Sequence, residues 1–97
     1  MRLAISKHNL FSADIYCADS RSAKRVLKEQ PVSILSIDYE LVGRESGEQL
    51  IYWAQDHHVL PQYVVVTERD RTHREKLSVA LQLAGFRTAD KTTYIRH

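Results

Sequence analysis

Two carboxylates stand directly beyond the most apolar run of the chain, where VSILSID (32–38) continues into Tyr39-Glu40 and so sets Asp38 and Glu40 two residues apart. In an open parallel sheet ligands bind beyond the carboxyl ends of the strands. That edge would collect Ser6, Lys7, His8 and Asn9 after the first apolar segment, Asp38 and Glu40 here, and Thr67, Glu68, Arg69 and Asp70 further on. The second strongly apolar run, YVVVT (63–67), ends in the hydroxyl of Thr67. The most charged stretch of the chain follows it at 68–76, carrying Arg69 and Arg71. Lys7 and His8 lie in the polar stretch SKHN after the first apolar segment. Helix N-terminal amides with Arg69 or Arg71 nearby could receive a phosphate group, and His8 could act as a general acid or base where it reaches Asp38 or Thr67. Each also has a plainer explanation. Lys7 can pair with Asp38 and close a crevice without metal, and a charged run such as 68–76 can satisfy itself as a solvated loop, whose surface ion pairs are worth about 0–1 kcal/mol each.

Other chemistry-bearing residues carry less. His57 and His58 are adjacent, and adjacent helical positions diverge by about 100°, so the two do not converge on one ion; a place near a helix C-terminus suits a partly protonated imidazole. Cys17 is the single cysteine, which excludes an internal disulfide and a cysteine metal cluster and leaves it to pack as a small hydrophobe. Tyr52 and Trp53 flank an apolar stripe and read as core or as a partner surface. Arg21, Lys24, Arg25 and Lys28 spread around a helix without interleaved aromatics, which is no groove for nucleic acid.

The elements that must position these residues follow from pattern. MRLAI (1–5) and DIYCA (14–18) read as strands. Asp19 or Ser20 caps a helix whose face is Ala23, Val26, Leu27 and Gln30, and Pro31 ends it. VSILSID is a strand, near-continuous in apolar and small residues as one covered on both faces would be. After a loop at Gly43, Ser46 and Gly47, the residues Leu50, Ile51, Ala54 and His58 recur at helical spacing. YVVVT is the clearest strand. Thr72 and Glu75 form a capping-box signature for a helix with the stripe Leu77, Ala80, Leu81 and Ala84, with Gly85 as its left-handed cap. TTYIRH (92–97) is a last strand. The order β-β-α-β-α-β-α-β predicts one α/β domain over residues 1–97, with a mostly parallel sheet and helices on both faces. The first link, SKHNLFSA, is short for a parallel crossover and leaves the direction of the second strand open.

With 97 residues, 43% hydrophobic and 27% charged, the chain has the composition of one globular domain. No apolar stretch approaches the roughly 20 residues of a membrane span, and MRLAI carries no signal-peptide h-region, which predicts the cytoplasm and no membrane partner. A net charge of +2 is too small to imply a nucleic-acid partner.

The element order together with IDYELVG resembles the cyclic-phosphate processing receiver family, relatives of the phosphoacceptor receivers of two-component signalling with the first helix reduced to a loop. That resemblance implies a receiver-like (flavodoxin-like), doubly wound, mostly parallel five-stranded sheet with the first helix reduced or absent. Asp38 matches the first acid of the family's third-strand motif, Glu40 stands for its second acid, and Leu41 follows. Gly43 comes one residue late, after Val42. Thr67 takes the place where phosphoacceptor receivers have a hydroxyl and the cyclic-phosphate family has a histidine. Ser6 and Lys7 stand where the family has an acidic pair, and Lys91 precedes the last strand rather than ending it. The resemblance implies a degenerate receiver-like domain with a regulatory or binding role through the crevice around Asp38. Its alternative is a metal-assisted phosphoesterase acting on cyclic-phosphate or nucleotide substrates. In that version Asp38 and Glu40 would hold Mg²⁺ or Mn²⁺, Thr67, Arg69, Arg71 and Lys7 would receive a phosphate, and His8 would move a proton. A phosphoacceptor role for Asp38 fits less well without the acidic pair. The partners it implies are a protein or a second copy, since the last strands and helix form a common dimer surface in receivers, or a small phosphoester.

Overall fold

Alternation decides the strands and periodicity the helices. The computed structural model describes residues 1–7 and 12–96. Their elements are β1 (Arg2–Ile5), β2 (Ile15–Cys17), α1 (Ser20–Glu29), β3 (Ile34–Ile37), α2 (Gly47–Asp56), β4 (Tyr63–Val66), α3 (Arg71–Leu83), β5 (Phe86–Arg87) and β6 (Thr93–Arg96). The strands form one six-stranded mixed sheet in the order β2-β1-β3-β4-β6-β5. β2, β1, β3 and β4 run parallel, which settles the direction of the second strand, and β6 pairs antiparallel with both β4 and β5.

The expected five-stranded sheet is therefore corrected to six strands. The extra one, Phe86–Arg87, is too short to show a period of its own. The crossover through α3 delivers β5 parallel to β4, and the chain then turns back so that β6 slots between them. The hairpin turn is held by Asp90, whose Oδ1 accepts the amides of Thr92 and Thr93 at 2.9 Å each. Those bonds hold its carboxyl below the usual range, the Thr93 amide first and the Thr92 amide next.

Helices on both faces are not what the described residues form. The connections β2-α1-β3, β3-α2-β4 and β4-α3-β5 all step the same way along the sheet, and right-handed crossovers in one direction fall on one face. Accordingly α2 packs against both α1 and α3. One strand face supplies Leu3, Ile5, Leu35, Ile37, Val64 and Val66 to the core beneath them. The helices answer with Ala23 and Leu27, with Leu50, Ile51 and Ala54, and with Leu77, Ala80 and Leu81, while Val26 and Ala84 pack partly buried against them. Gln30, expected on the α1 face, lies at the C-cap beyond the helix and is exposed. Tyr94 is buried in this core, and its hydroxyl donates to Ser78 Oγ at 2.7 Å, so the one polar atom it carries inward is satisfied.

Asp19 stands at the N-cap of α1, but its side chain makes no capping bond there, whereas side chains cap α2 and α3. Ser46 accepts from the Gln49 amide while Gln49 reaches back to the Ser46 amide, a complete capping box at α2. The box expected at Thr72 and Glu75 is replaced by Asp70, which caps α3 by accepting the His73 amide at 2.9 Å. Thr72 then lies inside the helix. Gly85 takes the left-handed conformation after α3, with φ 95°, as expected of a glycine there. His58, expected on the α2 stripe, lies beyond the helix end and is exposed, with φ 55°.

Candidate functional site

The register of the parallel strands makes the site. Ile5 pairs with Ile37, and Ile37 with Val66, so the residues one step further along β1, β3 and β4 are neighbours: Ser6, Asp38 and Thr67. Each is the first polar residue after an apolar strand, and together they form a row at the carboxyl edge of the parallel strands, the edge at which open α/β sheets bind ligands. Ser6 is buried and donates its hydroxyl to Asp38 Oδ2 at 2.5 Å, while the Thr67 hydroxyl donates to Asp38 Oδ1. Both carboxylate oxygens of the half-buried Asp38 are thus held by hydroxyls from the two flanking strands. The backbone continues the ladder, with the Asp38 amide donating to the Ile5 carbonyl and the Thr67 amide to the Ile37 carbonyl.

Glu68 organises the next layer. Its Oε1 accepts the Tyr39 amide at 2.9 Å, and its Oε2 accepts the amides of Arg69 and Asp70 at 3.1 Å each. Backbone amides that converge at the start of a helix make a seat for an anion. Here a carboxylate of the chain itself occupies that seat. The Tyr39 ring stacks on His73 with centroids 4.1 Å apart, and Lys76 lies 5.4 Å from the Tyr39 ring. Arg74 ties this corner to the β5–β6 hairpin, donating to the carbonyls of Glu68 and Lys91 at 2.7 and 2.6 Å and to Thr92 Oγ1 at 3.1 Å.

Of the residues expected at the site, Asp38 and Thr67 are brought together. Glu40 is exposed, and its partner is Lys7 at 3.5 Å, so the cation expected against Asp38 or a phosphate pairs with Glu40. Arg69 and Arg71 are exposed at the start of α3, and Arg69 contributes its amide to Glu68. His8 lies outside the described residues. Among the described residues no group of three or more histidine, cysteine or acidic side chains is arranged to hold a metal ion. A small hollow of about 170 Å³ opens beside the row, lined by Lys7, Tyr39, Glu40, Arg44 and Ser46 among others.

Ser6 and Glu68 lie on the carboxyl edge where pattern places them, though their bonds to Asp38 and to the loop amides were not expected. Gly47 is a participant that pattern reading did not place at the site. Ser6 carried the same signal as Asp38 and Thr67, a polar residue ending an apolar strand. Gly47 carried none. It starts α2 with its amide donating to the Tyr39 carbonyl at 2.7 Å, and a Cβ built on it would overlap the Asp38 carbonyl oxygen and lie 3.2 Å from Ile37 Cγ1. Away from the site, Trp53 is half-buried between Lys24 and Lys28, which lie 5.3 and 5.4 Å from its ring, and His57 stacks on it at 4.3 Å. The basic face of α1 therefore does meet an aromatic, contributed by α2. No protein-family model and no curated protein matches the chain.

Proposed function

We propose that the chain is a degenerate receiver-like domain with a regulatory or binding role, acting through the crevice around Asp38. The observation that carries this reading is the closure of the Asp38 carboxylate: both oxygens are taken by hydroxyls of the chain, one of them from Ser6, which stands where the resembled family has an acid. Glu68 on the neighbouring amides supports it, because an incoming phosphate would have to displace a carboxylate already held by three donors. A carboxylate fixed in this way locks the carboxyl ends of β1, β3 and β4 together, and a partner that reads this edge reads a preformed surface. The likeness of the first four strands to a flavodoxin-like receiver, in order β2-β1-β3-β4, belongs to the same proposal.

Thr67 against Asp38 favours one second reading, a hydroxyl and a carboxylate set side by side for metal-assisted phosphoester chemistry with Mg²⁺ or Mn²⁺ on Asp38 and Glu40. A thermal melt of wild type and Asp38→Asn, with and without millimolar Mg²⁺ or Mn²⁺, separates the two. Hydrogen bonds to a charged group are worth about 1.5–3 kcal/mol, and 1 kcal/mol moves the Tm of a domain this size by about 4–8 °C. The regulatory reading expects the substitution to lower Tm by several degrees and the metals to leave both proteins unchanged. A cation at about 100 times its Kd would add about 2.7 kcal/mol to the folded state. Metal stabilisation of the wild type that Asp38→Asn abolishes would replace the regulatory reading with the enzymatic one.

A further inference from the structure

The sheet face opposite the helices carries a second surface, which depends on the fold and not on the crevice. Register places Arg2, Ile34, Tyr63, Ile95 and Arg87 in one row across β1, β3, β4, β6 and β5, and side chains paired across strands share a face. Val65 and Thr93 form the next row beside Ser36. Tyr63 and Ile95 are 43% and 41% exposed, and Ile34, Val65 and Thr93 are half-buried, whereas the residues alternating with them on β3 and β4 are in the core. A mostly parallel sheet ordinarily has both faces covered. Here a strip of apolar side chains centred on β4 lies on the face away from α1, α2 and α3.

We propose that this strip binds an amphipathic helix of a partner protein whose apolar stripe is flanked by acidic side chains. The dimensions suit one helix lying along β4. Ile34 to Ile95 spans two interstrand spacings, about 10 Å, the diameter of a helix with its side chains. Arg2 and Arg87 stand one strand further out on either side, so a guanidinium borders each flank. Among the described residues neither arginine makes an ion pair. Asp14 accepts the Arg2 amide at 2.8 Å and Asp90 the two hairpin amides, so each of these carboxylates is engaged by backbone. Beside Ile95, a hollow of about 470 Å³ bordered by Arg87, Thr88, Ala89, Thr93 and Asp90, whose Oδ1 is taken by the hairpin amides, gives room for a large side chain.

Charge argues against a second copy as the occupant. Two-fold packing of this face on itself with the strands aligned lays one arginine-bearing margin on another, and like charges so placed disfavour the pairing. Stacking argues against single-stranded nucleic acid. Tyr16 and Tyr63 lie three strands apart, about 14 Å, and the Tyr16 hydroxyl is engaged by the Ala13 amide, so successive bases find one ring between two isoleucines.

The test is an amide-shift titration of the ¹⁵N-labelled chain with three probes. They are a synthetic helix of about 18 residues, long enough to hold helicity, with a leucine stripe flanked by glutamates, the same peptide with lysines for glutamates, and an oligouridylate. The glutamate peptide is expected to move the amides of Ile34, Tyr63, Val65, Thr93 and Ile95. The double substitution Arg2→Glu with Arg87→Glu is expected to weaken it about tenfold and to bring the lysine peptide into contact. Should the double variant fail to melt cooperatively, Ile95→Lys, at an exposed position, is expected to weaken the glutamate peptide by a similar factor. The proposal is overturned by equal binding of both peptides, by no binding, by shifts confined to the helical face, by oligouridylate moving these amides, or by their movement with protein concentration alone.

Discussion

Asp38 answers to its two neighbours in the row more than to its neighbours in the chain. A carboxylate two residues from Glu40 suggests a pair, yet Glu40 bonds to Lys7 while Asp38 takes hydroxyls from β1 and β4. Gly47 shows the same dependence. Alanine at an interior helical position would gain up to about 1 kcal/mol over glycine. Here its Cβ would meet a backbone carbonyl that cannot swing aside, at a cost of about 1–3 kcal/mol. Gly47→Ala is therefore expected to destabilise, with a Tm several degrees below wild type and shifted amides at Asp38 and Tyr39. An unchanged or raised Tm would show that the approach of α2 to Asp38 relaxes freely.

Among the elements, the β5–β6 hairpin, whose turn Asp90 holds, is joined to α3 by the Arg74 side chain. Arg74 in α3 reaches the Glu68 carbonyl with one nitrogen and Lys91 and Thr92 with the other, joining the β4–α3 corner to the hairpin turn. A lysine supplies one point charge in place of this fork and cannot hold both carbonyls in the same geometry. Arg74→Lys is expected to cost about 1–2 kcal/mol, a discounted value for a half-buried group, and to speed amide exchange in β5 and β6 ahead of β1 and β3. Denaturant midpoints and exchange rates check it, and uniform exchange across the sheet would count against a local role. This contact was not legible beforehand. Arg74 sits in a run of charges whose members look alike in sequence, and only the hairpin's approach selects one of them.

The molecule as a whole should lose stability in acid through identifiable groups. The Thr93 and Thr92 amides hold the Asp90 carboxyl below its ordinary value, and the Lys24 bond does the same for Glu45. A group lowered on folding adds stability above its unfolded pKa, about 3.9–4.3 for these two, and that stability is lost as pH falls through the folded value. Melts of wild type from about pH 6 downward should show Tm falling below about pH 4. Asp90→Asn should start lower and fall less steeply, while parallel curves would remove Asp90 from the acid limb. The two faces of the sheet divide the molecule in a second way: one is closed by the helices, and the other keeps Tyr63 and Ile95 partly exposed.

Local chemistry along the chain was enough to place the α3 core stripe, most of the α1 and α2 stripes, five of the six strands, and Asp38 and Thr67 at strand ends. Each rests on periodicity, on an apolar run or on the conformational freedom of a residue such as Gly85, all of which act within a few residues. The tertiary structure alone decided that α1, α2 and α3 share one face, because handed crossovers have no consequence until strand order is known. It alone inserted β6 between β4 and β5, paired Lys7 with Glu40, and seated Glu68 on amides from two loops. Those features join segments about thirty residues apart, and their energies depend on approach distances that no local pattern carries.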